Sequence, residues 1–228
     1  AYDYMGTVKL YRMFANDLGD AGIEEASSPT FTTEFAMTVT TTTSDETFTI
    51  PCQDVGTFDA GIEWGDGSVS TITAYNDADL THTFANAGDH TIRIRGTFPN
   101  IYFNDGGDKL KVKRVDNLGD VGWTRLNGAF YGCSNMESFT GGTTDTSSVT
   151  DMALMFRACS SLTSLDVTGF DTSSVTNMDS MFRDCSSLAD VVGVEDFDIE
   201  GLNSTGDLND FMTNVTLPTA RYDALLVN

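Results

Sequence analysis

Two histidines, four cysteines and 34 carboxylates are the side chains from which chemistry could be built in this 228-residue chain. His82 and His90 both fall on stretches that read as strands. Nothing places an activated serine beside either, so no Ser-His-Asp hydrolase is legible. Cys133, Cys159 and Cys185 recur every 26 residues on the apolar side of their segments, and Cys52 stands apart. There is no CxxC pair and no Cys/His cluster of the zinc-binding kind. The three recurring thiols read as small buried hydrophobes. Glycoside hydrolysis needs two carboxylates in a sheltered cleft that drives their pKa values apart, and the sequence singles out no pair.

Calcium is the remaining candidate, because hard cations take oxygen ligands at short spacing. Three acidic turns offer them: Gly65-Asp66-Gly67, Asn76-Asp77-Ala78-Asp79 and Asn104-Asp105-Gly106-Gly107-Asp108. The last, through Asn104, Asp105 and Asp108, is the strongest metal candidate. None has EF-hand spacing, and plain turn chemistry accounts for each. Asn203-Ser204-Thr205 and Asn214-Val215-Thr216 have the form of glycosylation acceptors. The expectation is therefore no catalytic residue, and no cofactor unless calcium.

The formal charge of −22 and a pI near 4.1 narrow the partners. Nucleic acid and anionic membrane are poor partners, since phosphate-dominated binding needs cations. Two readings of the charge stand: a highly soluble protein exposed to salt, or a surface for divalent cations or a basic partner. No run reaches the ~18 apolar residues of a membrane span, and no signal peptide is legible. Beginning at Ala1, the sequence reads as a processed form or one without its initiator methionine.

The elements that position these groups follow from a duplication. Asp145-Thr-Ser-Ser-Val-Thr-Asp-Met-Ala-Leu-Met-Phe-Arg-Ala-Cys-Ser-Ser-Leu162 returns 26 residues later as Asp171-Thr-Ser-Ser-Val-Thr-Asn-Met-Asp-Ser-Met-Phe-Arg-Asp-Cys-Ser-Ser-Leu188. Such a period signals a solenoid. One step back, Trp123 to Phe139 is a degenerate copy, and Leu110 to Val115 supplies a first strand. Forward, Phe211-Met212 is the Met181-Phe182 pair displaced by 30, a worn terminal copy.

Within a unit, Val149, Met152, Phe156 and Cys159 lie on one face of a short helix. Ser148 with Asp151, or Thr176 with Asp179, would form its capping box. Leu162, Leu165 and Val167 form a strand with Ser164, Asp166 and Thr168 outward. A single unit cannot stand alone. Six or so apolar side chains yield roughly 1.5–3 kcal/mol each, while ordering each of its backbones costs about 1–2 kcal/mol. Stacked neighbours close the gap.

The D-T-S-S-V-T-x-M-x-x-M-F-x-x-C-S-S-L register resembles the BspA-like leucine-rich-repeat family of surface proteins, over about 110–228. The resemblance implies surface display, adhesion or recognition, and no reaction. Upstream, short β-rich segments alternate with turns from about 31 to 103. The Trp64-Gly-Asp-Gly-Ser68 turn, His82-Thr-Phe84 and Gly88-Asp-His-Thr-Ile-Arg-Ile94 together resemble a PKD-type Ig-like domain, which implies a spacer or contact module. In residues 1–30, Val8, Tyr11, Phe14 and Leu18 fit a helical stripe, while Thr7 to Phe14 also reads as a strand. Glu24 to Pro29 reads as a linker.

The expected architecture is mostly β with short helices. An N-terminal arm or linker (1–30) precedes a PKD/Ig-like β-sandwich (31–105) and a leucine-rich-repeat solenoid of 26-residue β-α units with a C-terminal cap (106–228). The expected role is non-enzymatic adhesion or recognition, extracellular, on a phage virion (tail or capsid appendage) or a bacterial surface. Expected partners are a host-surface glycan or protein, or neighbouring virion or assembly subunits. The alternative is a building block, a capsid decoration or filament subunit, assembled through the arm as a homo-oligomer.

Overall fold

The computed structural model describes residues 34–202 and 208–217. The arm at 1–30 and the triplet at Asn203 lie outside the described residues. The protein is mostly β: ten strands and three 3-10 segments, with no α-helix, among the described residues. No described helix is long and apolar enough to cross a membrane.

Six strands precede the repeats: β1 (Phe35–Thr41), β2 (Glu46–Thr49), β3 (Asp59–Glu63), β4 (Val69–Ile72), β5 (Thr81–Phe84) and β6 (Gly88–Thr97). Alternation sets the faces. In β6, His90, Ile92 and Ile94 are buried while Asp89, Thr91 and Arg93 point outward, as period-two patterning requires. β1 is buried on both faces: Phe35, Met37 and Val39 enter the core, while Thr38 on the other face is covered by Thr91 and Asp116 of the neighbouring strands. β2 and β5 form a separate two-stranded sheet. It contributes Phe48 and Phe84 to a core shared with Trp64 and Ile92.

β7 (Val112–Asn117) joins the two halves of the chain. It pairs antiparallel with β1, Met37 opposite Val115. On its other side it pairs parallel with β8 (Ser138–Thr140), Val115 opposite Phe139. β9 (Ser164–Asp166) and β10 (Asp190–Val192) continue in register, Phe139 to Leu165 to Val191. One eight-stranded sheet therefore runs in the order β10-β9-β8-β7-β1-β6-β3-β4, over one contiguous apolar core.

The repeat unit departs from expectation on its second side. Val149, Met152, Phe156 and Cys159 are fully buried, but their backbone is a chain of overlapping turns rather than a helix. Leu154 and Ala158 have φ of 61° and 58°, and Ser180 and Asp184 repeat this at 54° and 64°. The N–H groups of Met155, Arg157 and Cys159 donate three residues back within the coil, to Met152, Leu154 and Phe156. Those of Met152, Leu154, Phe156 and Ala158 donate to Asn177, Asp179, Met181 and Arg183 of the next coil. A helix would spend almost every N–H internally. The turn ribbon spends half of them on its neighbour.

The proposed capping boxes are not formed. Asp151 and Asn177 instead accept the N–H groups of Ala153 and Asp179, each at 3.0 Å. Leu110 is another correction: the step back from buried Met136 lands on a residue that is 53% exposed, in the 3-10 segment Lys109–Lys111. The displacement of 30 does hold. Phe182 N–H donates to Phe211 carbonyl where Phe156 N–H donates to Met181.

Ala158 gives a sign test of the ribbon. In a helix, Ala158→Gly would cost about 1 kcal/mol. At a left-handed position, glycine removes about 1–2 kcal/mol of strain. Urea unfolding should therefore show Ala158→Gly equal to or more stable than the parent.

Rows of identical side chains run along the coils. Phe130, Phe156 and Phe182 stack face to face at 6.0 and 5.7 Å. Cys159 and Cys185 donate their S–H groups to the carbonyls of Phe130 and Phe156, at 3.2 and 2.9 Å. Thr146 and Thr172 each bridge to the next coil, donating to Asp171 and Asp198 carbonyls and accepting the N–H of the same residues.

Candidate functional site

The histidines are tied into the core of the first six strands. His82 Nε2 lies 2.8 Å from the Asp66 carboxylate, and its ring stacks on Trp64 at 4.9 Å. Burial raises the Asp66 pKa, but the His82 and Ser68 hydrogen bonds outweigh it and hold the carboxyl below its ordinary value. His90 stacks on Phe84 at 3.8 Å and meets Thr41 Oγ1 at 3.0 Å. His82 ties β5 to the β3–β4 turn, and His90 ties β6 to β5 of the other sheet.

All four cysteines are free thiols. Burial pushes the Cys52 and Cys185 thiols up to about 12, and it raises Cys133 and Cys159 further. They stay protonated at neutral pH, and a thiol rather than a thiolate is a poor nucleophile or metal ligand. Asn214, of the second triplet, has φ of 63° and donates its amide to Asp184 at 2.6 Å.

The calcium candidates do not converge. Asp105 is held by Lys109 through both its carboxylate and its carbonyl. Asp108 is 2.9 Å from Lys111 and accepts the Thr49 N–H at 2.9 Å. Asp77 is turned onto the N–H groups of Thr73 and Asp79. Among the described residues, no three His, Cys, Asp or Glu side chains gather as a metal site. Lysines and backbone donors occupy the carboxylates that a cation would need.

Asp108 and Lys111 instead plug the outer edge of β2. Ile50 N–H bonds Leu80, so alternation aims the peptide groups of Thr47 and Thr49 away from β5. Asp108 accepts the Thr49 N–H, and Lys111 donates to the Thr47 carbonyl. Lys111 also reaches Glu46 at 3.1 Å. The Thr42 N–H, then Lys111 and the Thr43 N–H, lower the Glu46 pKa from 4.5 to about 2.

A group whose folded pKa is depressed stabilises above its unfolded value and loses that contribution as pH falls through the folded one. The Glu46 contribution should fade between pH 4.5 and about 2. Glu46→Gln should flatten the acid limb of a stability–pH curve in that window, by denaturant titration. An unchanged limb would show that the network does not act on folding.

Beside this plug lies a groove of about 520 Å³, lined in part by Thr40, Thr42, Glu46, Leu110, Lys113 and Glu137. It sits where β1 and β7 meet the first repeat coils, the kind of seam where ligand sites concentrate. Lys113 crosses to Asp89 at 2.7 Å. Asn135 Nδ2 donates to the Leu110 carbonyl at 2.7 Å, and Leu110 lies open. The sequence reading missed this seam. Its signal is Lys109-Leu-Lys-Val-Lys-Arg114, four cations in six residues of an acidic chain.

The second candidate surface is the outer side of the repeats. Arg114, Ser138, Ser164 and Asp190 form one cross-strand row. Thr140, Asp166 and Val192 form the next. At one corner Asp145, Asp171 and Asp198 each close a turn on Ser147, Ser173 and Glu200. Their own turn serines hold Asp145 and Asp171 below the ordinary carboxylate value. Hydroxyls and carboxylates thus repeat at the inter-strand distance of roughly 4.8 Å. This surface can bind through many equivalent polar contacts. Nowhere on it do an activated nucleophile and a base meet among the described residues.

Residues 101–215 match the model of a family described as "Mycoplasma protein of unknown function, DUF285". The match takes in the 110–113 side of the groove and the repeat coils through Phe211. No curated protein and no solved structure matches the chain.

Proposed function

The chain belongs to the family described as "Mycoplasma protein of unknown function, DUF285", and from that premise we propose that it is a non-enzymatic recognition protein. In this reading the repeats are a short leucine-rich-repeat solenoid of the BspA-like kind, carried by a PKD-type Ig-like sandwich. The protein is displayed outside the cell, on a bacterial surface or a virion, and binds a glycan or protein of a host surface. One observation carries the reading: the repeat array presents evenly spaced rows of half-buried or exposed strand hydroxyls and carboxylates, with exposed Asp145, Asp171 and Asp198 at one corner, over an unbroken core. Rigid, repeated polar contacts suit a repetitive ligand, because the conformational cost of ordering the surface is already met in folding.

The test is binding of the full chain to intact host cells and to their extracted surface glycans, with and without calcium. The parent should bind. Ser164→Arg with Asp166→Arg should weaken binding at least tenfold, while thermal unfolding is retained. Failure to bind any cell or glycan under either condition would refute the proposal.

A further inference from the structure

Nine lysines and arginines lie among the described residues. Eight of them pair with a carboxylate. Arg157 is the exception. Its guanidinium carbon lies 5.1 Å from the centre of the Tyr131 ring, and no carboxylate pairs with it among the described residues. Where 34 carboxylates face 12 lysines and arginines, a guanidinium without one calls for a cause.

The repeat supplies the cause. Arg157 and Arg183 hold the same position in consecutive coils. Arg183 is paired twice, with Asp184 at 3.6 Å and with Asp210. The left-handed residues align the coils. Leu154, Ser180 and Asp210 form one row, with φ of 61°, 54° and 55°. Ala158, Asp184 and Asn214 form another, with φ of 58°, 64° and 63°. Asp184 therefore answers to Ala158 beside Arg157, and Asp210 answers to Ser180 one coil on. Both carboxylates that neutralise Arg183 are replaced by uncharged residues around Arg157. Asp184 is itself engaged, accepting the Asn214 amide at 2.6 Å.

Tyr131 occupies the same position one coil earlier. A guanidinium laid on an aromatic ring keeps its planar N–H fork open at the edge. Arg157 and Tyr131 are both half-buried, so the fork is restrained yet reachable. Its side-chain N–H groups have no acceptor among the described residues. Such a fork accepts a carboxylate through two parallel hydrogen bonds.

Charge limits the ligand. A net charge of −22 repels a polyanion, while salt screening over roughly 8 Å leaves a direct contact with one anion intact. One cation therefore suits one carboxylate on an otherwise neutral ligand. An acidic sugar within a neutral saccharide has that pattern, and an acidic peptide does not.

We propose that Arg157, seated on Tyr131, is a carboxylate-binding subsite for a saccharide carrying a single acidic sugar. It lies on the turn wall, opposite the strand rows. The ligand class rests on the recognition reading above. The test separates the two, because it follows one named residue with a defined saccharide.

The experiment is side-chain nitrogen NMR of the full chain, titrated with aldotriouronic acid, a single uronate on neutral xylobiose. Xylotriose is the uncharged counterpart. The Arg157 Nε–H resonance, assigned by its loss in Arg157→Gln, should shift with the first and not with the second. Affinity by calorimetry should fall about tenfold or more in Arg157→Gln, with thermal unfolding retained. Arg157→Lys should lose part of it, since a point charge cannot make the paired bonds, and Arg183→Gln should lose none. An unmoved Arg157 resonance overturns the proposal, even if the parent binds host glycan. An equal shift with sodium acetate reduces the site to one for any small anion and overturns the sugar assignment. Tighter binding of polyglutamate overturns it in favour of an acidic peptide. A responding Arg157 in a protein that binds no host surface keeps the subsite and removes the broader reading.

Discussion

Phe156→Ala lowers the midpoint of thermal unfolding by about 6–20 °C. Phe156 is fully buried and stacks on Phe130 and Phe182, at 6.0 and 5.7 Å. It also meets Phe139 of the opposite wall edge-on at 4.7 Å. Truncating a buried phenylalanine to alanine costs about 3–5 kcal/mol, and a domain of this size loses roughly 2–4 °C per kcal/mol. Collapse cannot repair the cavity cheaply, because coils above and below are fixed by ladders on both walls. Calorimetry of the full chain reads the shift. A drop under 2 °C would mean that the site relaxes around the cavity and that the phenylalanine row is not a principal support.

Gly119→Ala has a comparable effect through the backbone. Gly119 has φ of +65°, and a Cβ there would lie 2.2 Å from the Glu34 carbonyl oxygen and 2.7 Å from the Phe35 nitrogen. The left-handed conformation costs alanine about 1–2 kcal/mol, and forcing atoms into a packed site adds about 1–3 kcal/mol. The expected loss is about 2–5 kcal/mol in the free energy of urea unfolding. It acts where β1 meets the end of β7, so the signals of Trp123 and Phe35, in edge contact at 5.6 Å, should move first. Gly107→Ala is the control: φ is +54° with nothing near its Cβ position. It should show the conformational cost alone. Equal losses at the two sites would remove the close approach as the cause.

The repeat was the most legible part of the chain because its information is local. A 26-residue step fixes which Met, Phe, Cys and Leu meet, and Phe139, Leu165 and Val191 are neighbours as that step requires. The helix misreading has a physical origin. Val149, Met152, Phe156 and Cys159 fall three or four apart, and a ribbon of turns buries that spacing as well as a helix does. The distinguishing residues are the left-handed ones, and Leu154 and Ala158 carry no turn chemistry in their side chains.

The seam was illegible for a different reason. Thr42, Glu46, Lys111 and Glu137 come together only when β7 joins the sheet between β1 and β8. No local pattern encodes that join. The acidic turns carry little information on calcium, because the same aspartates serve an edge, a turn or a lysine equally well.

The turn ribbon has a mechanical consequence. Each coil is laced to the next along two opposite walls, by strand bonds on one side and by Met152, Leu154, Phe156 and Ala158 on the other. A repeat array laced along one wall opens like a hinge when it is pulled off axis. Lacing along both walls removes that hinge: bending either way stretches one set of bonds, and axial tension loads both at once. The array should behave as a short stiff rod that resists shear until whole coils detach.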